Sequence, residues 1–185
     1  MLLKAAARCF ESRGPLGVTV DDIARLASVH RTTVYKYFPN RDAIISGLLM
    51  WDADHLIAGS AAKLRSAEPF AERFVQAVAH IIDGVHESKL LRSLFDPDII
   101  DFVARATTAS EEFRAQVATS LGVAVAEAAE RGEIRAGLEV DEVVDWLSYV
   151  AILLIGESFR EDGPDVVAAL RKFVLPGVCS APSST

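Results

Sequence analysis

Hydrophobic residues recur three and four positions apart along most of the chain, which is the spacing of helices that bury one face. The clearest run carries Phe70, Phe74, Val78, Ile81 and Val85. A second run extends from 113 to 128, and a third, from 143 to 155, is apolar nearly all round. The pattern predicts an all-α fold of about nine helices.

Helix-breaking and helix-capping residues divide this pattern into segments. Gly14 ends a first helix that begins near the start of the chain. Pro39 closes a short helix, and Asn40 then caps a long helix that runs to about residue 64. Pro69 and Pro164 stand in the first turns of later helices, where proline is well tolerated.

Residues 19–38 contain two short helices joined by a tight break. Thr19 and Asp22 have the spacing of a capping box, and the small Ala24 allows the second helix to pack closely. The second helix places Val34 inward and distributes hydroxyls and cations over its other faces, which suits phosphate oxygens and base edges in a major groove. The stretch is typical of a helix-turn-helix, although ordinary packing of two short helices is an alternative interpretation.

The segment from 2 to 49 resembles the DNA-binding domain of the TetR family of one-component bacterial regulators. The residues that match at fixed spacing are Ala5-Ala6, Phe10, Gly14, Thr19-Val20, Ile23-Ala24, Ala27, Val29, Val34-Tyr35, Tyr37-Phe38 and Asn40-Arg41-Asp42. The resemblance covers the first quarter of the chain. It implies a sequence-specific transcriptional regulator, with a recognition helix starting near residue 31 and a long fourth helix that acts as a lever.

Two positions depart from the usual pattern of that family. Ser28 stands where Gly is usual, and a residue forced to positive φ there is more strained than Gly. His30 stands where Ser or Thr usually caps the recognition helix. Either Thr32 caps a helix that starts late, or the His30 imidazole caps it less well.

The expected DNA contacts come from the recognition helix and the starts of two neighbouring helices. Four side chains are expected to contact bases or adjacent phosphates, and four more are expected to contact backbone phosphates. The first set is Arg31, Thr32, Thr33 and Lys36, and the second is Thr19, Tyr35, Tyr37 and Arg41.

Charge is segregated along the chain. The net charge is −7, which by itself argues against a nucleic-acid partner. Residues 1–50, however, hold seven Lys and Arg against four acids, whereas the remaining 135 residues carry a balance of −10. A basic end attracts phosphates and an acidic remainder repels them, which favours one docking orientation. An acidic surface that only keeps the protein in solution accounts for the second part but not the first.

The predicted domains follow from these segments. Residues 1–46 form a three-helix, helix-turn-helix DNA-binding domain, here called the head. Residues 47–176 form a helical-bundle domain for ligand binding and dimerisation, here called the body. Residues 177–185 are predicted to be a disordered tail, because most of them are small or polar.

The last two helices are predicted to pair with those of a second subunit, because the first of them is apolar nearly all round. A two-fold homodimer would place two recognition helices on successive major grooves of a near-palindromic double-stranded operator. Burial of both helices within one monomer is the alternative. The candidate interface residues are Val143, Leu147, Val150, Leu154, Val166, Leu170, Phe173 and Val174.

The body is predicted to hold a small-molecule effector in an apolar cavity that weakens operator binding. Each aromatic candidate has ordinary core packing as its alternative role. An aromatic, apolar body with few unpaired cations suggests an uncharged or cationic hydrophobic ligand. The candidate pocket residues are Trp51, His55, Phe74, Val78, Ile81, Phe95, Phe102, Phe113, Trp146 and Tyr149.

Catalysis is not expected. The chain has no Gly-rich phosphate loop, GxSxG or HExxH motif, and its four histidines are scattered. We therefore predict no enzyme activity, no cofactor and no metal. Cys9 and Cys179 are far apart, Lys4 and Arg8 interrupt any signal-peptide core, and no apolar stretch approaches the ~20 residues that span a bilayer. A cytoplasmic protein without a membrane partner is expected.

Two other functions compete with a ligand-released repressor. One is a dimer of the same fold that binds a small molecule or a protein while its head no longer reads DNA, and the departures at Ser28 and His30 favour it. The other is a DNA-binding dimer without an effector, whose cavity is filled by side chains.

Overall fold

The chain folds into helices in the computed structural model, which describes residues 1–14, 17–94, 105, 110–158, 160 and 162–181. Within those ranges nine helices follow one another, as the hydrophobic spacing predicts. They are α1 (Leu2–Arg13), α2 (Val20–Leu26), α3 (Arg31–Tyr37), α4 (Arg41–Leu64), α5 (Phe70–Glu87), α6 (Lys89–Leu94), α7 (Glu111–Val117, a π-helical turn Ala118–Gly122, and Val123–Glu130), α8 (Val140–Glu157) and α9 (Val166–Ala169, a π-helical turn Leu170–Val174, and Leu175–Val178).

Helices α1 to α3 and the first turns of α4 share one core. Phe10 of α1, Ile23 of α2 and Val34 of α3 are buried together with Ile45 of α4. Helix α2 packs on both α1 and α3, and α1 packs on α4. The predicted three-helix head is therefore present, and α4 provides its floor.

Helix α4 continues without a break from the head into the body. Its start is capped as predicted, because the Asn40 side chain accepts a hydrogen bond of 2.8 Å from the Ala43 amide. Its buried positions move from Ile44 and Leu48 beneath the head to Leu56 and Leu64 within the body. Helix α6 also packs on both α1 and α4, so head and body touch at a second place.

Helices α4 and α5 pack at unusually close range, because each contributes a glycine to their contact. A Cβ added at Gly59 would stand 2.1 Å from His80 Nε2. A Cβ added at Gly84 would stand 2.0 Å from a methyl carbon of Leu56. Neither glycine has a positive φ, so what these positions require is the absence of a side chain.

A buried arginine ties α5 to the end of α4. Arg73 is only 1% exposed, and its Nη1 donates a 2.8 Å hydrogen bond to the Leu64 carbonyl. Nη1 also lies 3.6 Å from a carboxylate oxygen of Glu127 on α7, and the guanidinium lies over the Phe70 ring at 5.8 Å. Loss of either partner would leave the buried charge of Arg73 less well compensated, which is unfavourable. The Arg73 guanidinium therefore favours the arrangement in which α4, α5 and α7 stay together.

The predicted disordered tail is wrong for residues 177–180. Val178 is buried, the Arg135 amide donates to its carbonyl at 2.9 Å, and Cys179 forms a β-bridge with Ile134. The Ser180 amide donates to the Glu133 carbonyl at 2.8 Å. The composition of the segment is that of a loop, but one apolar side chain and a backbone partner in the α7–α8 connection are enough to order it.

The contact at Gly59 generates a stability prediction. Gly59→Ala gains helix propensity but forces the His80 ring out of its position, so we expect the free energy of unfolding to fall by about 1–2 kcal/mol. Gly177→Ala is the matched control, because a Cβ there meets nothing within 4 Å. We expect it to leave that free energy unchanged or slightly raised. Urea denaturation of the three proteins tests this, and equal stability of the two variants would contradict it.

Candidate nucleic-acid interface and ligand cavity

The entry to the helix-turn-helix is fixed by a capping box. The Thr19 hydroxyl oxygen accepts from the Asp22 amide at 3.2 Å, and the Thr19 amide donates to Asp22 Oδ2 at 3.1 Å. The same hydroxyl donates to Oδ2 at 2.6 Å. Arg13 and Arg25 donate to Asp22 Oδ1 at 3.0 and 3.1 Å. The Thr19 hydroxyl hydrogen is thus committed within the head.

Asp22 is electrostatically favoured in its charged form. Hydrogen bonds from the side chain and the backbone of Thr19, followed by the hydrogen bond and the charge of Arg13, lower the pKa of the Asp22 carboxyl to about 2. The carboxylate therefore stays ionised throughout the neutral and mildly acidic range, and the start of α2 stays joined to the end of α1.

The turn between α2 and α3 accepts the unusual Ser28. Its φ is 55°, in the left-handed region, as expected for a position where Gly is usual. The turn is closed by the Val29 amide, which donates to the Ala24 carbonyl at 3.0 Å. The sequence departure therefore costs strain at one residue and leaves the geometry of the turn intact.

The recognition helix starts at Arg31 and is capped by the His30 imidazole. His30 Nδ1 accepts a hydrogen bond of 3.4 Å from the Thr32 amide and lies 2.9 Å from the Thr32 hydroxyl oxygen. Of the two starts that the sequence leaves open, this is the early one. The long amide contact is that of a weak cap, since a ring nitrogen approaches the helix less closely than a hydroxyl.

Helix α3 presents one continuous polar face to solvent. Val34 is fully buried, and at 100° per residue Thr32 and Lys36 point directly away from it. Tyr35 flanks them on one side together with Arg31, whose guanidinium lies over the Tyr35 ring at 5.8 Å. Thr33 and Tyr37 flank them on the other side.

The end of α3 is held against the lever helix. Phe38 packs on Gly47 of α4, where an added Cβ would stand 3.0 Å from the Phe38 ring. Because both Val34 and Phe38 are packed inward, the orientation of the polar face follows that of α4. Arg41, at the first position of α4, is half-buried beside this junction.

The body contains a partly open cavity of about 140 Å³ between α4, α5, α7 and α8. Its wall on α4 extends from Leu49 to Leu64 along one face, and its wall on α5 includes Phe74 and Val78. The π-helical turn of α7 forms a third side. The described lining residues are mostly aliphatic and include no ionisable side chain.

Comparisons with known proteins bear on both regions. The sequence profile of a family described as "Bacterial regulatory proteins, tetR family" matches residues 2–48. Its matched segment contains the capping box, the turn and α3. The first quarter of the chain is therefore similar to the DNA-binding domain of that family.

The individual curated relatives that the chain matches are distant. The HTH-type transcriptional activator FasR of Mycolicibacterium smegmatis is 29% identical over 100 residues, which are 54% of this chain and 46% of FasR. The aligned part thus spans about half the length of the curated relatives that the chain matches.

Solved structures share the fold over nearly the whole chain. The ketosteroid transcriptional regulator KstR2 of Mycobacterium tuberculosis is 22% identical with a TM-score of 0.59, and the match covers 97% of this chain and 94% of KstR2. FadR of Bacillus subtilis, solved in complex with stearoyl-CoA, is 18% identical with a TM-score of 0.57 and 92% coverage of both chains.

The structure places only part of the predicted pocket around the cavity. Phe74, Val78 and Ile81 line it. Trp51, His55, Trp146 and Tyr149 do not, and all four are exposed, so their assignment to the cavity is wrong in this conformation. Phe95 and Phe102 lie outside the described residues, as does the side chain of Phe113. The prediction favoured large aromatic side chains, whereas the described cavity wall consists mostly of smaller aliphatic side chains.

Most of the lining residues that the sequence reasoning missed lie on α4 and α8, and fewer lie on α7 and α5. On α4 they recur three or four apart, and this spacing could have indicated a face that continues into the body. The polar members could not be recognised, because single serines in a helix have no distinctive pattern. The missed residues with a signal of this kind are Leu49, Ala53, Leu56 and Leu64.

The predicted interface residues divide into two groups. Five are buried in the chain's own core and cannot meet a partner in this conformation, because their helices turn them towards α5 and α7. These are Val143, Leu147, Val166, Leu170 and Val174. Val150 and Leu154 are half-buried, and Phe173 is 73% exposed.

Among the described residues, no three His, Cys, Asp or Glu side chains are grouped so that they could hold a metal ion. Within the same part of the chain, no helix is long and apolar enough to cross a membrane.

The low pKa of Asp22 gives a prediction for acid stability. Because the folded pKa is about 2 and the ordinary value is 3.8, the carboxylate stabilises the fold above pH 4, and this contribution is lost as the pH falls towards 2. Wild type should therefore be more stable than Asp22→Asn at neutral pH, and the difference should shrink between pH 4 and pH 2. Urea denaturation across this range measures it. Asp21→Asn, on the same first turn, is the control, and a difference that persists at pH 2 would contradict the assignment.

Proposed function

We propose that the protein is a DNA-binding transcriptional repressor that acts as a homodimer in the cytoplasm and leaves its operator when a small molecule enters the cavity. The observation that carries this proposal is the double role of α4. Its first turns form the floor of the head, and its later turns form a wall of the cavity. A molecule in the cavity therefore acts on the same helix that orients the recognition helix.

The exposed face of α3 supports DNA binding. Thr32 and Lys36 stand at its centre, where they would reach bases or adjacent phosphates. Arg31 and Tyr35 on one flank and Tyr37 on the other would contact phosphates and sugars. The exposed hydroxyl oxygen of Thr19 would act only as an acceptor, which does not suit a phosphate. The backbone amides at the start of α2 are therefore the better candidates for a phosphate contact. Thr33 and Arg41 are half-buried and would contribute at the edge.

An exposed apolar stripe on α8 supports dimerisation. Trp146 is 51% exposed and Tyr149 is 46% exposed, and with the half-buried Val150 and Leu153 they recur three and four positions apart on one face. Phe173 on α9 adds a third exposed aromatic ring. Large aromatic residues are the preferred anchors of protein interfaces. The same two helices that the sequence indicated thus remain the proposed interface, but with different faces.

The proposed mechanism is a population shift. Ligand binds better to the conformation in which the two lever helices hold the recognition helices at a spacing unsuited to successive major grooves, about 34 Å apart. By linkage, DNA and ligand then weaken each other's binding by the same factor. The described side chains do not fill the cavity. This favours a regulator that has an effector over a DNA-binding dimer that has none.

Relatives support the class of function and leave its sign open. KstR2 and FadR are named as regulators, and the latter was solved with stearoyl-CoA, whereas FasR is named as an activator. A head that no longer reads DNA is less favoured, because Ser28 and His30 both keep the turn and cap in working geometry. Repression is proposed because, in this population shift, ligand binding releases the dimer from its operator, and release of a repressor is the simplest regulatory outcome.

The DNA-binding proposal predicts the effect of one lysine. Lys36→Ala should weaken operator binding roughly 3–10-fold, and it should reduce the slope of log affinity against log salt by about 2, since a dimer loses two phosphate contacts. Lys63→Ala, in the last turn of α4, is the control and should change neither quantity. Fluorescence anisotropy against DNA tiled across the region upstream of its own gene, and against a selected random-sequence pool, measures both. Uniformly weak binding to every DNA would contradict the proposal.

The dimer proposal predicts different effects for two tryptophans. Trp146→Glu places a charge in the exposed stripe and should raise the dimer dissociation constant by about 100-fold or more. Trp51→Glu is the matched control, since Trp51 is 44% exposed but lies on α4 away from the stripe. Sedimentation equilibrium compares the two with wild type. Equal dimer dissociation constants for the two variants would show that the interface lies elsewhere.

A further inference from the structure

We propose that the effector is an uncharged aliphatic molecule whose buried end carries one neutral group able to donate and to accept a hydrogen bond, as an alcohol or a primary amide does. This inference rests on the proposed ligand-binding role of the body and names the chemical class of its ligand. It follows from the composition of the cavity wall, the position of its polar atoms and its size.

The wall excludes a buried charge. Most of the described lining residues are aliphatic, with Phe74 the aromatic among them, and no Lys, Arg, His, Asp or Glu is included. A carboxylate or an ammonium group brought into such a site would lose its hydration without gaining a counter-ion, and that penalty is several kcal/mol or more. The described wall therefore favours a neutral group at the buried end of a ligand.

The few polar side chains of the wall come from three helices that meet at the π-helical turn of α7. Gln116 and Ser120 belong to α7 itself, Ser148 to α8 and Ser60 to α4. Helices α4 and α8 both pack on the π-helical turn, and such turns widen a helix locally and occur often at functional sites. The described lining residues of α5 are all apolar, so the hydrogen-bonding groups of the described wall belong to the other three helices.

The hydroxyl hydrogens of two of these serines are already committed. Ser120 donates to the Gln116 carbonyl at 3.0 Å, and Ser148 donates to the Val144 carbonyl at 2.7 Å. Their oxygens keep acceptor capacity towards the cavity, whereas the Gln116 carboxamide can donate as well as accept. The complementary ligand group both donates to a serine oxygen and accepts from an amide. A hydroxyl or a primary amide meets this requirement, and an ether or a hydrocarbon does not.

The volume limits the size of what fits without expansion. A cavity of about 140 Å³ is comparable to the ~150 Å³ apolar cavity that accommodates a benzene molecule. A chain of about six carbon atoms with a small head group is therefore a suitable probe. Hexan-1-ol, its acceptor-only isomer 1-methoxypentane, hexylammonium and hexanoate form a set of matched size.

The test is direct titration of the full chain with these four probes by calorimetry, without DNA. We expect hexan-1-ol to bind at least about tenfold more tightly than hexylammonium or hexanoate, and about threefold or more tightly than the ether. Gln116→Met keeps the volume and removes the amide, and it should weaken hexan-1-ol binding about 3–10-fold. Gln76→Met, an exposed glutamine on α5 outside the cavity, is its control. Ala151→Leu, which fills the cavity, should abolish binding of the alcohol.

The outcomes separate this inference from the proposed function. Charged probes that bind as tightly as the alcohol would overturn the ligand class, as would alcohol binding that survives Ala151→Leu in a variant with a wild-type melting curve. No binding of hexan-1-ol at millimolar concentration would also overturn it. Operator binding is measured separately by anisotropy with and without hexan-1-ol. If the alcohol binds as expected but DNA affinity does not change, the ligand class holds and the regulatory coupling fails.

Discussion

The close contact between α4 and α5 is the constraint on which the rest of the structure depends. Gly59 and Gly84 bring the two helices to a distance at which His80 and Leu56 pack directly on backbone. Arg73 then fixes the end of α4 through the Leu64 carbonyl and reaches Glu127 on α7. Because packed interiors shift between discrete arrangements and resist gradual deformation, we expect α4 to move as a unit with one wall of the body and to carry the head with it.

This arrangement explains how a small cavity can matter to a distant surface. The lining of α4 and the floor of the head are successive faces of one rigid helix, so no chain of intermediate contacts is needed to connect them. The second contact, where α6 packs on both α1 and α4, limits the directions in which the head can tilt. On the proposed mechanism, this geometry would be the route by which the cavity acts on α3.

The fold and the head could be read from the sequence because their signals are local. Capping residues such as Thr19 and Asn40 act on the amides three residues ahead, and helical spacing reports burial of one face directly. The sequence could not show whether His30 caps α3, because a histidine side chain can point towards the helix or away from it. Its outcome depended on the rotation of a single ring.

The cavity and the interface were harder to predict because they depend on how helices are rotated against one another. Trp146 and Val143 are three residues apart on α8, and hydrophobicity alone cannot say which of them meets α5 or α7 and which meets solvent. Large aromatic side chains were assigned inward, but Trp146, Tyr149 and Trp51 stand outside. Tertiary packing decided the rotation.

The π-helical turn of α7 has a consequence for how the body can change in length. Such a turn holds one residue more than a regular α-helix of the same span. Deletion of a single residue between Ala118 and Gly122 could restore regular α-helical winding without breaking the helix, whereas a deletion elsewhere in α7 would rotate everything after it out of register. The cavity wall is therefore the place where this helix tolerates a change of length, so its ligand preference can be altered by an indel as well as by substitution.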